Sequence, residues 1–141
     1  MTKWTFHNWT DGIPAVRPTS IVHAIELLVE HAALHEYGIY VDYVHDERGL
    51  ISCSANAKFS SLSFCPDFDP KTHSLAGSRS ARRIKPAIKE PFRWVDGTGL
   101  ASYMPVHFVL PMAKVVRAMT YILEFHDFPA FIRWSNPATE C

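Results

Sequence analysis

The 141-residue sequence is 48% hydrophobic and 20% charged, which excludes a disordered chain; a polypeptide of this length buries about 70% of its unfolded surface, enough for a proper core. Fourteen Lys and Arg balance fourteen Asp and Glu, so no net field directs the molecule to nucleic acid or to an anionic membrane. Cys53, Cys65 and Cys141 are an odd number without metal-ligand spacing and read as free thiols of a reducing compartment. The first residues lack an apolar signal-like core and no stretch is long enough to span a bilayer, so a cytoplasmic protein is expected.

Charge is uneven along the chain. Residues 1–70 carry Lys3, Arg17, Arg48 and Lys58 against Asp11, Glu26, Glu30, Glu36, Asp42, Asp46, Glu47, Asp67 and Asp69, whereas 71–100 carry seven Lys or Arg against Glu90 and Asp96. Two patches of opposite sign are expected.

Residues 1–15 hold Trp4, Phe6 and Trp9 before the turn-like Asp11-Gly12-Ile13-Pro14 and form an N-terminal arm or short strand. A helix follows over about 20–37, capped by Thr19 or Ser20 and closed by Gly38 in a left-handed cap. Its apolar stripe is Ile21, Ile25, Leu28, Val29 and Ala32, with His23, Glu26, Glu30 and His31 at the edges. From Ile39 the period falls to two, and the turns at 45–49 and near Asn56 divide 39–65 into three meandering antiparallel strands. Residues 66–89 show little pattern and predict a long loop. Phe92 to Val95 and Leu100 to Val106 flank Asp96-Gly97-Thr98-Gly99, a hairpin signal.

The most informative stretch is the last. Met112, Val115, Val116, Met119, Ile122 and Leu123 recur at three- and four-residue steps between Pro111, which suits a first helical position, and Pro129, which stops the helix near Phe125 or His126. A helix over about 111–125 follows, then a strand from Phe131 to Ser135 on which Ile132 and Trp134 share the face over the helix stripe. Val115, Met119, Pro129, Ile132 and Trp134 are the expected core of this unit. The fold class is α+β: a mainly antiparallel sheet of five to six strands packed with two principal helices.

Few residues suggest chemistry. His31 and His35 stand four apart and present two imidazoles on one helix face, but Ala32 occupies the place of the zinc-motif glutamate. His45-Asp46-Glu47 matches half of the nucleic-acid deaminase zinc signature with no P-C-x-x-C to complete it. There is no G-x-S-x-G elbow and no glycine-rich phosphate loop. The residues from Arg79 to Arg93, with Phe92 and Trp94 as stacking groups, are the best candidate for phosphate contacts and define an alternative reading as a small nucleic-acid-binding module. A metal-dependent enzyme is a third reading, and no metal or other cofactor is expected under the first.

That first reading comes from Val109-Leu110-Pro111-Met112-Ala113, Arg117-Ala118 and Phe128-Pro129-Ala130-Phe131-Ile132-Arg133-Trp134. This pattern, a late helix entered through an L-P step and followed by a P-x-x-φ-x-W strand, resembles the immunity protein 1 family of bacterial polymorphic toxin systems; the upstream order and the Met104-Pro105 step are similar as well. The resemblance spans Val16 to Ser135, with no counterpart for the Trp4 and Trp9 arm, and implies one immunity-protein-like domain, expected over 1–141 with that arm included. It implies a non-enzymatic, cytoplasmic antidote that neutralises a cognate toxin domain, commonly a nucleic-acid deaminase, in a one-to-one complex without membrane or direct nucleic-acid binding. A toxin that acts on DNA or RNA presents a basic cleft, so acids on the inhibitor can stand where phosphates would. Asp42, Asp46 and Glu47 on the first hairpin and Asp67 and Asp69 at the loop entrance are the expected toxin-binding residues.

Overall fold

A computed structural model describes residues 2–35, 38–69, 74–77, 92–95, 101–104 and 109–135. Its main sheet has the order β1 (Trp4–Asn8), β2 (Ile39–His45), β3 (Leu50–Ala55), β5 (Ser63–Cys65), β6 (Ser74–Gly77), β10 (Arg133–Ser135); β4 (Phe59–Ser60) pairs with β3 and with β9 (Leu110–Pro111). Every pairing described is antiparallel. Helices α1 (Ile21–Ala33) and α2 (Met112–Phe125) complete this layer, and β7 (Phe92–Val95) pairs with β8 (Ala101–Met104) as a separate hairpin lying near β2 and β3. The fold is therefore α+β with a mostly antiparallel sheet, as the change of period along the chain predicts.

Alternation sorts the sheet into two faces. Ile39, Val41 and Tyr43 of β2 and Ile51, Cys53 and Ala55 of β3 are fully buried and face the helices: the Tyr43 hydroxyl donates to Ala24 O of α1 at 2.6 Å and Cys53 Sγ lies 3.6 Å from Met119 Sδ of α2. Burial pushes the Cys53 thiol up to about 12, so it remains a neutral, unreactive thiol in the folded protein. Val115 and Met119 are fully buried, Ile132 is 5% exposed and Pro129 is buried. Trp134 is only half-buried; it packs edge-on against Phe128 at 4.9 Å and donates its indole N–H to Pro129 O at 3.1 Å. It closes over the rim of the core and does not lie inside it.

Several boundaries differ from the periodicity. Helix α1 ends at Ala33, and Leu34 caps it in a right-handed conformation. Gly38 has φ +91° but belongs to the entry of β2: a Cβ there would meet Ala55 O at 2.7 Å, so glycine answers a close approach of strands. The buried face of α1 is Ala24, Leu27, Leu28 and Ala32, with Ile21 and Ile25 half-buried and Val29 exposed. Pro111 is the N-cap of α2 and a residue of β9, and His126 ends the helix in a left-handed cap, its N–H on Ile122 O. The third strand of the meander is two pieces, β4 and β5.

The predicted loop over 66–89 contains a strand, β6, bonded to β5 on one side and β10 on the other; its short Ser-Leu-Ala-Gly sequence gains regular structure from these neighbours. The last strand is correspondingly shorter than 131–135. The arm is sheet edge β1, and the chain returns along it: Phe6 exchanges both backbone hydrogen bonds with Val16, at 2.7 and 2.9 Å, and Thr2 N donates to Pro18 O. The hairpin turn at 96–100 and most of 79–93 lie outside the described residues.

Candidate functional site

Two turns meet at one end of the main sheet. The register Leu50↔Cys65 sets the β2–β3 turn, which carries Asp46 and Glu47, beside the turn after β5, which carries Asp67, Phe68 and Asp69.

Histidine rings join these turns. His45 Nδ1 accepts the backbone N–H groups of Glu47 and Arg48 at 3.1 and 3.3 Å, so this nitrogen is unprotonated. His126, one residue past α2, donates from Nε2 to Pro66 O at 2.7 Å. Its ring stacks on Trp4 at 5.2 Å and meets His45 edge-on at 4.8 Å, while Trp4 meets His45 at 4.9 Å. One aromatic cluster thus ties β1, both acidic turns and the end of α2 together. Gly49, φ +104°, is packed so closely that a Cβ would stand 2.7 Å from His126 Cε1 and 2.8 Å from Pro66 O. Beside the cluster is a depression of about 350 Å³ lined by Lys3, Trp4, Ser20, His45, Glu124 and His126 among others. Both imidazoles spend hydrogen-bonding capacity on backbone, an arrangement suited to holding loops.

Burial lowers the pKa of His45, and neighbouring His126 lowers it further, against the opposing pull of Glu47 and Asp46. Because the folded-state pKa lies below the unfolded one, the neutral ring contributes stability that is complete above about pH 6.5 and is lost as pH falls through the folded value. Protonation also removes both hydrogen bonds at Nδ1. A His45→Gln variant is therefore expected to show a weaker loss of melting temperature between pH 7 and pH 5 than the parent; parallel pH profiles would separate His45 from the acid response.

The five expected acids have different surroundings. Asp46 is held in a two-pronged pair with Arg17, at 2.7 and 2.8 Å, which lowers its pKa and raises that of Arg17. Glu47 is 3.5 Å from Lys3, both largely exposed. Asp67 Oδ1 accepts Asp69 N–H at 3.1 Å, and Asp69 O accepts the Cys65 thiol at 3.2 Å, so these residues shape their own turn. Asp42 stands apart on the outward face of β2, accepting from Trp9 Nε1 at 2.7 Å and Ser52 Oγ at 2.6 Å. Four of the five acids share one end of the sheet, and Asp42 anchors the N-terminal arm.

Between Asp67 and Asp69 stands Phe68, with φ +63° and 48% of its surface exposed. A bulky side chain in left-handed backbone costs about 1–3 kcal/mol and persists only where the surroundings impose it. Composition gives no sign of it; only the D-F-D-P stretch hints at a turn. His126 and Arg17 also escape sequence reasoning, because their partners are distant in the chain.

His31 and His35 are placed otherwise than a zinc motif requires. His31 Nδ1 is 2.8 Å from Asn8 Nδ2, and His35 Nε2 is 2.8 Å from Asp11 Oδ1; together with the Asn8–Asp11 hydrogen bond they fasten the arm to α1 and to the residue just beyond its C-cap. Among the described residues, no group of three His, Cys, Asp or Glu is arranged to hold a metal ion, and no helix is long and apolar enough to cross a membrane.

No protein-family model and no curated protein sequence matches the chain.

Proposed function

We propose that this protein is an immunity protein of a bacterial polymorphic toxin system, a cytoplasmic antidote that binds a cognate toxin domain, in the first instance a nucleic-acid deaminase, and blocks access of its substrate. The observation that carries this reading is the Asp67-Phe68-Asp69 tip: an exposed aromatic ring held in strained backbone between two carboxylates, at the same end as Asp46 and Glu47. An aromatic anchor surrounded by acids suits a basic, partly apolar cleft, with the ring supplying binding energy and the charges steering encounter. Glu47 is the more effective steering group, since its pair with Lys3 is long, at 3.5 Å, and largely exposed, whereas Arg17 holds Asp46 at 2.7 Å. The resemblance of the α2–β10 segment to the immunity family supports the same class.

The test is co-expression with the toxin domain encoded beside this gene, followed by purification of the pair. A one-to-one complex, rescue of growth and nanomolar affinity, about −12 kcal/mol, are expected. Phe68→Ala should weaken the complex by about 2 kcal/mol, near thirtyfold, without lowering the melting temperature. Glu47→Lys should slow association and flatten its dependence on salt. Failure to protect cells from that toxin would falsify the proposal.

A further inference from the structure

A second surface lies away from the acidic turns and does not depend on the toxin reading. Helices α1 and α2 pack side by side, and between them on the outer side runs a groove of about 450 Å³. Its floor and walls are Ile21, Val22, Ile25, Val29, Val116 and Thr120. Val22 is 67% exposed and Val29 39% exposed. Residues 22, 25 and 29 repeat at helical spacing, yet the core of α1 is built from Ala24, Leu27, Leu28 and Ala32. This helix therefore carries a second apolar stripe, which none of the described residues covers. The apolar surface continues across α2 to Phe125 and Phe131, 61% and 41% exposed, with Arg117 turned over the Phe131 ring at 4.6 Å.

The charges on the groove select the occupant. Glu26 and Glu30 are its charged lining residues, and both are exposed. An anionic membrane is disfavoured, because helical faces that lie on such membranes carry Lys and Arg around the apolar stripe. A second copy of this chain would bring the same pair of glutamates to the contact. An amphipathic helix with apolar residues at i, i+3, i+4 and i+7 and with lysine or arginine flanking them satisfies both the stripe and the rim. We propose that the α1–α2 groove is a docking site for a cationic amphipathic helix of a partner protein.

The experiment uses the whole protein and two model peptides of about 18 residues, long enough to be helical, with identical leucine positions and either lysine or glutamate elsewhere. Binding is followed by calorimetry, and the fold of every variant by circular dichroism. The leucine–lysine peptide should bind in preference to the leucine–glutamate peptide, and Val29→Asp should weaken it by about tenfold or more by placing a charge in the apolar floor. If Val29→Asp disturbs the fold, Val22→Asp, at the more exposed position, gives the same reading. The double reversal Glu26→Lys and Glu30→Lys should exchange the preference between the peptides. Equal binding of both peptides, binding of neither, or binding that a folded Val22→Asp variant leaves unchanged overturns the proposal. So does a concentration-dependent dimer of the parent that Val22→Asp converts to monomer, for then the groove belongs to a second copy.

Discussion

Gly49→Ala is expected to destabilise the protein by about 2–5 kcal/mol, lowering its melting temperature by on the order of 10 °C. Two costs combine at this position. The backbone sits at φ +104°, where an L side chain is strained by about 1–3 kcal/mol. The new methyl would also stand within 2.8 Å of the His126 ring and of Pro66 O. The ring is held by Trp4, His45 and its own hydrogen bond, and the carbonyl is backbone, so neither retreats freely; overpacking of this kind costs about 1–3 kcal/mol. Gly12→Ala is the matching control, since its φ is also positive, +61°, but no atom of the described residues lies within 4 Å of a Cβ there. Thermal unfolding of the pair separates crowding from backbone strain. Equal losses in the two variants would mean that the His126 contact is not rigid.

The second large effect is expected at Phe64. This ring is fully buried on β5 and meets Phe128 at 4.9 Å and His126 at 5.6 Å. Phe64→Ala should therefore cost about 3–5 kcal/mol, a large share of a domain's usual total of about 5–15. Trp134→Ala removes a larger side chain but should cost less, about 2 kcal/mol, because part of the indole already faces water and less apolar surface is lost from the core. Urea titrations of both variants test the order. A tryptophan variant less stable than the phenylalanine variant would place the weight of the core at β10.

The contrast between these residues shows what the sequence carries. Helix α2 was legible because Pro111 and Pro129 bracket a run with one clear period, and its buried face differs from the predicted stripe in gaining Ala118 and leaving Met112 and Val116 half-buried. The arm's Trp4 and Phe6 alternate with polar residues as a half-buried strand should. Strand β6 was not legible, since Ser74, Leu75, Ala76 and Gly77 have weak strand preference and owe their pairing to β5 and β10. The acids were legible as charges but not as partners: Arg17 reaches Asp46 across 29 positions and Trp9 reaches Asp42 across 33. Such pairings are set by tertiary structure, and no local pattern announces them. Phe68 is the extreme case, for its left-handed backbone runs against the ordinary preference of its own side chain.

The return of residues 16–18 along β1 bears on how the protein behaves when crowded. Exposed strand margins are where sibling chains add on and where ordered aggregates begin. Here the exchange between Phe6 and Val16 occupies that margin, and Pro18, which has no N–H to offer, ends it. The first strand is thus a poor template for fibre growth.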